Sequence, residues 1–152
     1  MNTQTPIPLS LYELDFQAWT ETQAEYLRTH NMEQLDFENL AEEIAALGKQ
    51  QQQELENRLG ILLGHLLKWH YQPQFRSKSW QATIREQRRQ INRLISKNPS
   101  LKSYWPEAMA EGYLNALDLV DRETPLKLSE LPEVCPFSVD EIFDAPIEFE
   151  CD

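Results

Sequence analysis

Residues 49–71, KQQQQELENRLGILLGHLLKWHY, decide the fold class. Leu55, Leu59, Leu62, Leu66 and Trp69 recur at intervals of three or four, the spacing that puts side chains on one face of an α-helix. Ile61, Leu63 and Leu67 fall off that seam, so the segment is apolar nearly all round and is expected at the centre of a helical domain. Gly60 and Gly64 lie roughly opposite Leu55 at ~100° per residue. Their missing side chains let another backbone approach, either within the chain or across a homodimer seam. The run ends before Pro73, because the residue preceding a proline resists helical angles.

The same periodicity extends to either side. Upstream, Asp15 caps a predicted helix from Phe16 to about Thr29, with Phe16, Trp19, Gln23, Tyr26 and Leu27 along one face. After a turn at 30–35, Asp36 caps a second helix through Leu47, with Phe37, Leu40, Ile44 and Leu47 as its stripe. Gly48 is the expected end of that helix, the alternative being a kink within one long helix. Downstream, Ser77 or Ser79 caps a helix from Trp80 to about Ser96 that turns Trp80, Ile84, Gln87, Ile91, Leu94 and Ile95 inward. Asn98–Leu101 breaks it, and a fifth helix starts near Ser100 or at Pro106 and runs to Glu123. Residues 1–11, with Pro6 and Pro8, read as an extended lead-in. Residues 125–152, with Pro125, Pro132, Pro136 and Pro146, read as a tail wrapping the bundle, with one helical turn capped by Ser138 and Glu141. The expectation is a single all-α domain over 1–152, a compact bundle of about five helices with a Pro-rich C-terminal tail.

A chain of 152 residues suits one core, and a formal charge of −11 disfavours contact with nucleic acid or an anionic membrane. The average conceals a reversal between Arg76 and Lys97, where seven basic residues stand against Glu86 alone. Cys135 and Cys151 are too few for a disulfide framework and lack metal-ligand spacing. No stretch reads as a signal peptide or a membrane span, since the longest apolar run, Leu59–Leu67, is interrupted by His65. A reduced, cytoplasmic location is expected.

The blocks LDFENLAEEI (35–44), HLLKWHYQP (65–73) and RSKSWQATI (76–84) resemble the domain of unknown function 29 family, bacterial and mainly cyanobacterial. The likeness extends from YELDFQAW (12–19) to CPFSVDEIF (135–143). It implies an all-helical fold and carries no activity with it. The chain departs from the family pattern at His70, where Gln is common, and at Ala45, where an acidic residue is common.

Two constellations offer chemistry. If helices two and three pack as an antiparallel hairpin, Asp36, Glu43 and His65 meet at the edge of the core. Two carboxylates and an imidazole are a divalent-metal ligand set with room for water, which would suit metal-dependent hydrolysis, of phosphoesters for example, with Arg58 or Arg76 holding substrate. The structural reading of the same residues is a helix cap or an ion pair with Arg58 and a hydrogen-bonded histidine. No cofactor is otherwise implied. His65 and His70 are five apart and cannot chelate together as an i, i+4 pair does, and there is no E-x-x-H, phosphate loop or nucleophile elbow. The second constellation is Arg85, Arg89 and Arg93, one turn apart on the face opposite Ile84 and Ile91, extended by Arg76 and Lys78. Such a stripe is either a solvated face in loose ion pairs or a contact for an acidic partner or phosphates. Acidic balance makes nucleic acid the poorer match. The leading expectation is a non-enzymatic protein-interaction or regulatory domain.

Overall fold

A computed structural model describes residues 9–148, and every regular element among them is helical. In chain order they are α1 (Leu11–Leu14), α2 (Phe16–Arg28), α3 (Phe37–Tyr71), α4 (Lys78–Lys97), α5 (Trp105–Glu123) and α6 (Val139–Phe143), with short 3-10 turns between them. The extended lead-in expected over 1–11 gives way to helix at Leu11. Pro6, Pro8 and Cys151 lie outside the described residues. The chain divides into two units, the first through Leu47 and the second from Gly48.

The largest difference from the sequence reading is at Gly48. No helix ends there: α3 is continuous for 35 residues. A glycine ends a helix when the chain turns left-handed, and no glycine among the described residues has a positive φ. Within a helix Gly48 costs only about 1 kcal/mol relative to alanine. The leucines from 55 onward, each worth roughly 1.5–3 kcal/mol when fully buried, hold the later turns strongly enough to carry the helix through. The two segments on either side of Gly48 therefore belong to one long helix, the alternative to a break there.

In the second unit that rod is central, as its all-round apolarity demands. Leu55, Leu59, Leu62, Leu63, Leu66 and Leu67 are buried. They join Ile84, Ile91 and Leu94 of α4, Ala108, Tyr113, Ala116 and Val120 of α5, and Leu101, Leu131 and Ile142 from the connecting and C-terminal segments. Ser77 caps α4 by accepting from the Trp80 amide at 3.2 Å. The Ser138–Glu141 reciprocal cap opens α6 as expected. Gly60 and Gly64 are used within the chain. A Cβ on Gly60 would stand 2.7 Å from Cβ of Asn115, one on Gly112 would stand 2.7 Å from Cβ of Leu59, and one on Gly64 would stand 2.9 Å from the Leu119 side chain. These three glycines let α3 and α5 cross closer than side chains would permit.

In the first unit, Asp15 caps α2 through the Ala18 amide at 3.0 Å. His30, in the left-handed region at φ 56°, ends it, and Asn31 N donates to the Tyr26 carbonyl at 2.8 Å. Trp19, Gln23 and Leu35 are buried, but most other large apolar side chains are not. The stripe expected to be buried on the first turns of α3 is open: Phe37, Ile44 and Leu47 are all exposed.

Candidate functional site

The sequence blocks YELDFQAW and LDFENLAEEI meet in the first unit around two carboxylates. Asp36 stands at the N-cap of α3. Its main-chain carbonyl accepts from Leu40 N at 2.9 Å, and its Oδ1 accepts from Asn39 N at 3.4 Å. Its Oδ2 accepts from Asn39 Nδ2 at 2.8 Å and from the buried indole of Trp19, Nε1, at 3.0 Å. Gln23 Oε1 accepts the Asp36 amide at 2.8 Å. The Tyr12 hydroxyl donates to Glu43, and the Tyr12 ring lies edge-on to Trp19 with centroids 4.8 Å apart. Hydrogen bonds from the Asn39 side chain and from Trp19 hold the Asp36 carboxyl below its ordinary range, with partial desolvation opposing them. The bond to Glu43, followed by desolvation, pushes the Tyr12 phenol up. Protein donors thus occupy both carboxylates, and the arrangement clamps α1 and α2 to the start of α3.

His65 is not part of this cluster. It belongs to the second unit, 22 positions after Glu43 along α3. Because α3 is continuous, there is no hairpin at Gly48 of the kind that would assemble Asp36, Glu43 and His65 as a ligand set. Among the described residues no group of three or more His, Cys, Asp or Glu side chains is placed to hold a metal ion. His65 is half-buried, with Nδ1 2.8 Å from the Ile61 carbonyl, which accepts its proton. Burial lowers its pKa, the Ile61 bond works against that, and Lys68 adds to it, so the imidazole is neutral at physiological pH. Arg58 pairs with Glu54 at 3.0 Å and reaches Gln87 at 3.3 Å, leaving Asp36 and Glu43 to their own donors.

Of the arginines expected to face a partner, Arg76 is committed to the fold. Its Nε donates to the Trp69 carbonyl at 2.8 Å, and its guanidinium lies 4.9 Å from the centre of the Trp69 ring, closing the last turn of α3. Arg85, Arg89 and Arg93 are exposed on α4, and no carboxylate among the described residues pairs with them. The intervening Arg88 behaves differently. It donates to the carbonyls of Ile142 at 2.7 Å, Ala145 at 2.9 Å and Glu141 at 3.1 Å, which anchors the end of α6 on α4. Gln81 adds a bond to the Ile147 carbonyl at 2.6 Å. Arg88 sits four residues after Ile84 and three before Ile91, on the inward stripe, and that spacing distinguishes it from its neighbours.

Replacing Arg88 with lysine keeps the charge and removes the fork, so a single ammonium nitrogen replaces the three nitrogens that reach three carbonyls. The expected cost is about 1–2 kcal/mol, confined to the C-terminal segment. Amide exchange should accelerate by about tenfold over residues 139–147, with little change in α5.

Sequence reasoning also passed over Lys68. It is buried in the most apolar part of α3, its ammonium 4.8 Å from the Trp80 ring centre and 3.7 Å from Glu123 Oε2. A lysine between Leu67 and Trp69 was the available clue, because a charge in an all-round apolar helix needs a partner. Cys135 is half-buried, and desolvation raises its thiol pKa.

No helix among the described residues is long and apolar enough to cross a membrane. No curated protein and no solved structure matches the chain. The family model described as "Domain of unknown function DUF29" matches residues 11–147, nearly the whole length. The chain belongs to that family.

Proposed function

We propose that this is a non-enzymatic protein-interaction domain, docking through Arg85, Arg89 and Arg93 to an acidic surface of another protein. One observation carries the reading. In a chain with 25 acidic residues and 14 basic ones, three arginines one turn apart stand exposed with no carboxylate of the described residues within ion-pair distance. The opposite face of α4 is held by Ile84, Gln87, Ile91 and Leu94 in the core and by Arg88 on the C-terminal segment. The helix that carries the stripe is therefore held in place, which spares the cost of ordering its backbone on binding. A net charge of −11 opposes approach to nucleic acid and leaves an acidic protein face as the better match.

The test is quantitative affinity purification with wild-type protein and the triple variant R85E/R89E/R93E. A partner recovered by wild type is expected to be lost from the variant. Its Kd should rise on the order of tenfold to a hundredfold, because three exposed ion pairs of about 0.2–1 kcal/mol each become repulsions. Binding should also weaken with salt. Equal recovery by both proteins, or a partner whose binding ignores salt, would remove the stripe from the interface.

A further inference from the structure

The first turns of α3 carry a second surface with different chemistry. Phe37, Ala41, Ile44 and Ala45 follow helical spacing, and with Leu47 they form an exposed apolar strip. The large members are 58%, 65% and 59% exposed for Phe37, Ile44 and Leu47. Ala41 and Ala45, also exposed, continue the strip toward Glu38 and Glu42. From 37 to 47 the strip is about 15 Å long, three turns of helix. Asp36 and Glu43, on one side of it, are engaged by Trp19 and Tyr12. On the other side, Glu38 and Glu42 are exposed one turn apart.

Charge decides what fits. Residues 1–47 contain nine acidic side chains against Arg28 alone, a net −8. A second copy pairing this face with itself would set one such unit against another, which self-repulsion disfavours. We infer that this face binds a cationic amphipathic helix of another protein. Apolar residues at i, i+3/i+4 and i+7 would cover Phe37, Ile44 and Leu47, and Lys or Arg residues would meet Glu38 and Glu42. The surface is separate from the α4 stripe and stands or falls independently of it.

The experiment uses the full chain and two synthetic helical peptides with the same leucine face, one with lysine and one with glutamate at the polar positions. Binding is followed by fluorescence anisotropy. The Leu/Lys peptide is expected to bind saturably at 1:1. Its Kd should rise by about tenfold or more with Ile44→Ser plus Leu47→Ser, and by a smaller factor with Glu38→Gln plus Glu42→Gln. The Leu/Glu peptide should not bind. Because all four side chains are exposed, the variants should keep the wild-type circular dichroism and melting curve. Four results overturn the proposal. They are failure of the Leu/Lys peptide to bind, binding unaffected by the serine substitutions, equal binding of the Leu/Glu peptide, and a dimer in sedimentation that the serine variant dissociates. The last would mean that a second copy covers the face.

Discussion

Gly112→Val is expected to destabilise the second unit by about 3 kcal/mol, near the upper end of the usual cost of overpacking. A Cβ at residue 112 would stand 2.7 Å from Cβ of Leu59 and 3.4 Å from the Glu56 carbonyl oxygen. Neither atom is the free end of a side chain, so neither can move without moving α3. The reciprocal contact is as close, since a Cβ on Gly60 would stand 2.7 Å from Asn115 Cβ and 3.4 Å from the Gly112 carbonyl oxygen, so a slide along the axis offers no relief. Valine regains only a few tenths of a kcal/mol of helix propensity over glycine, which does not offset the clash. At about 2–4 °C per kcal/mol for a chain of this size, the melting temperature should fall by roughly 6–12 °C. Gly48→Ala supplies the contrast. Nothing lies within 4 Å of a Cβ there, and the residue is interior to α3. That substitution should therefore stabilise by up to about 1 kcal/mol. Thermal unfolding followed at 222 nm checks both. If Gly112→Val melts with wild type, the close crossing of α3 and α5 is not what holds this unit.

The two glycines also mark what could and could not be read from the chain. The spacing of Leu55, Leu59, Leu62, Leu66 and Trp69 was sufficient to place a buried central helix, because apolarity on every side leaves only the interior. Gly48 misled because a glycine at the end of a periodic stretch is compatible with either a cap or a continuing helix, and local residues do not distinguish them. Burial from Leu55 onward, beginning about 10 Å further along the helix, decided it. Phe37, Ile44 and Leu47 misled for a different reason. Helical periodicity reports that a face is apolar and is silent on whether the covering surface belongs to the same molecule. The candidate metal cluster fell with the hairpin. Asp36 and Glu43 lie half-buried while the apolar stripe beside them is exposed, and their partners, Trp19 and Tyr12, come from elements whose packing no periodicity encodes. The arginines divide by register. Arg85, Arg89 and Arg93 point out as their spacing requires, whereas Arg76 and Arg88 are drawn to main-chain carbonyls.

Asp36→Ala is expected to loosen the first unit by about 2–3 kcal/mol. The N-cap contributes about 1 kcal/mol. Removing the carboxylate also leaves the Nε1–H of Trp19, a residue only 4% exposed, without its acceptor, at about 1–3 kcal/mol. Asp36→Asn should cost much less, because asparagine caps a helix well and its side-chain oxygen can still accept from the indole. Amide exchange over Phe16–Arg28 should rise steeply in the alanine variant and little in the asparagine one, while α5 stays protected in both. The carboxylate also predicts a pH dependence of definite sign. Asn39 and Trp19 bind the ionised form, so the folded pKa lies below the ordinary 3.8. A depressed folded pKa makes this contribution fully present above about 3.8 and progressively lost as pH falls through the folded value, since protonation then accompanies unfolding. The indole Nε1–H resonance of Trp19 should move on acidification in that window in wild type and stay nearly still in Asp36→Asn. A wild-type resonance that is indifferent to acid, or an alanine variant as protected as wild type, would show that α1 and α2 are held to the start of α3 by their apolar contacts alone.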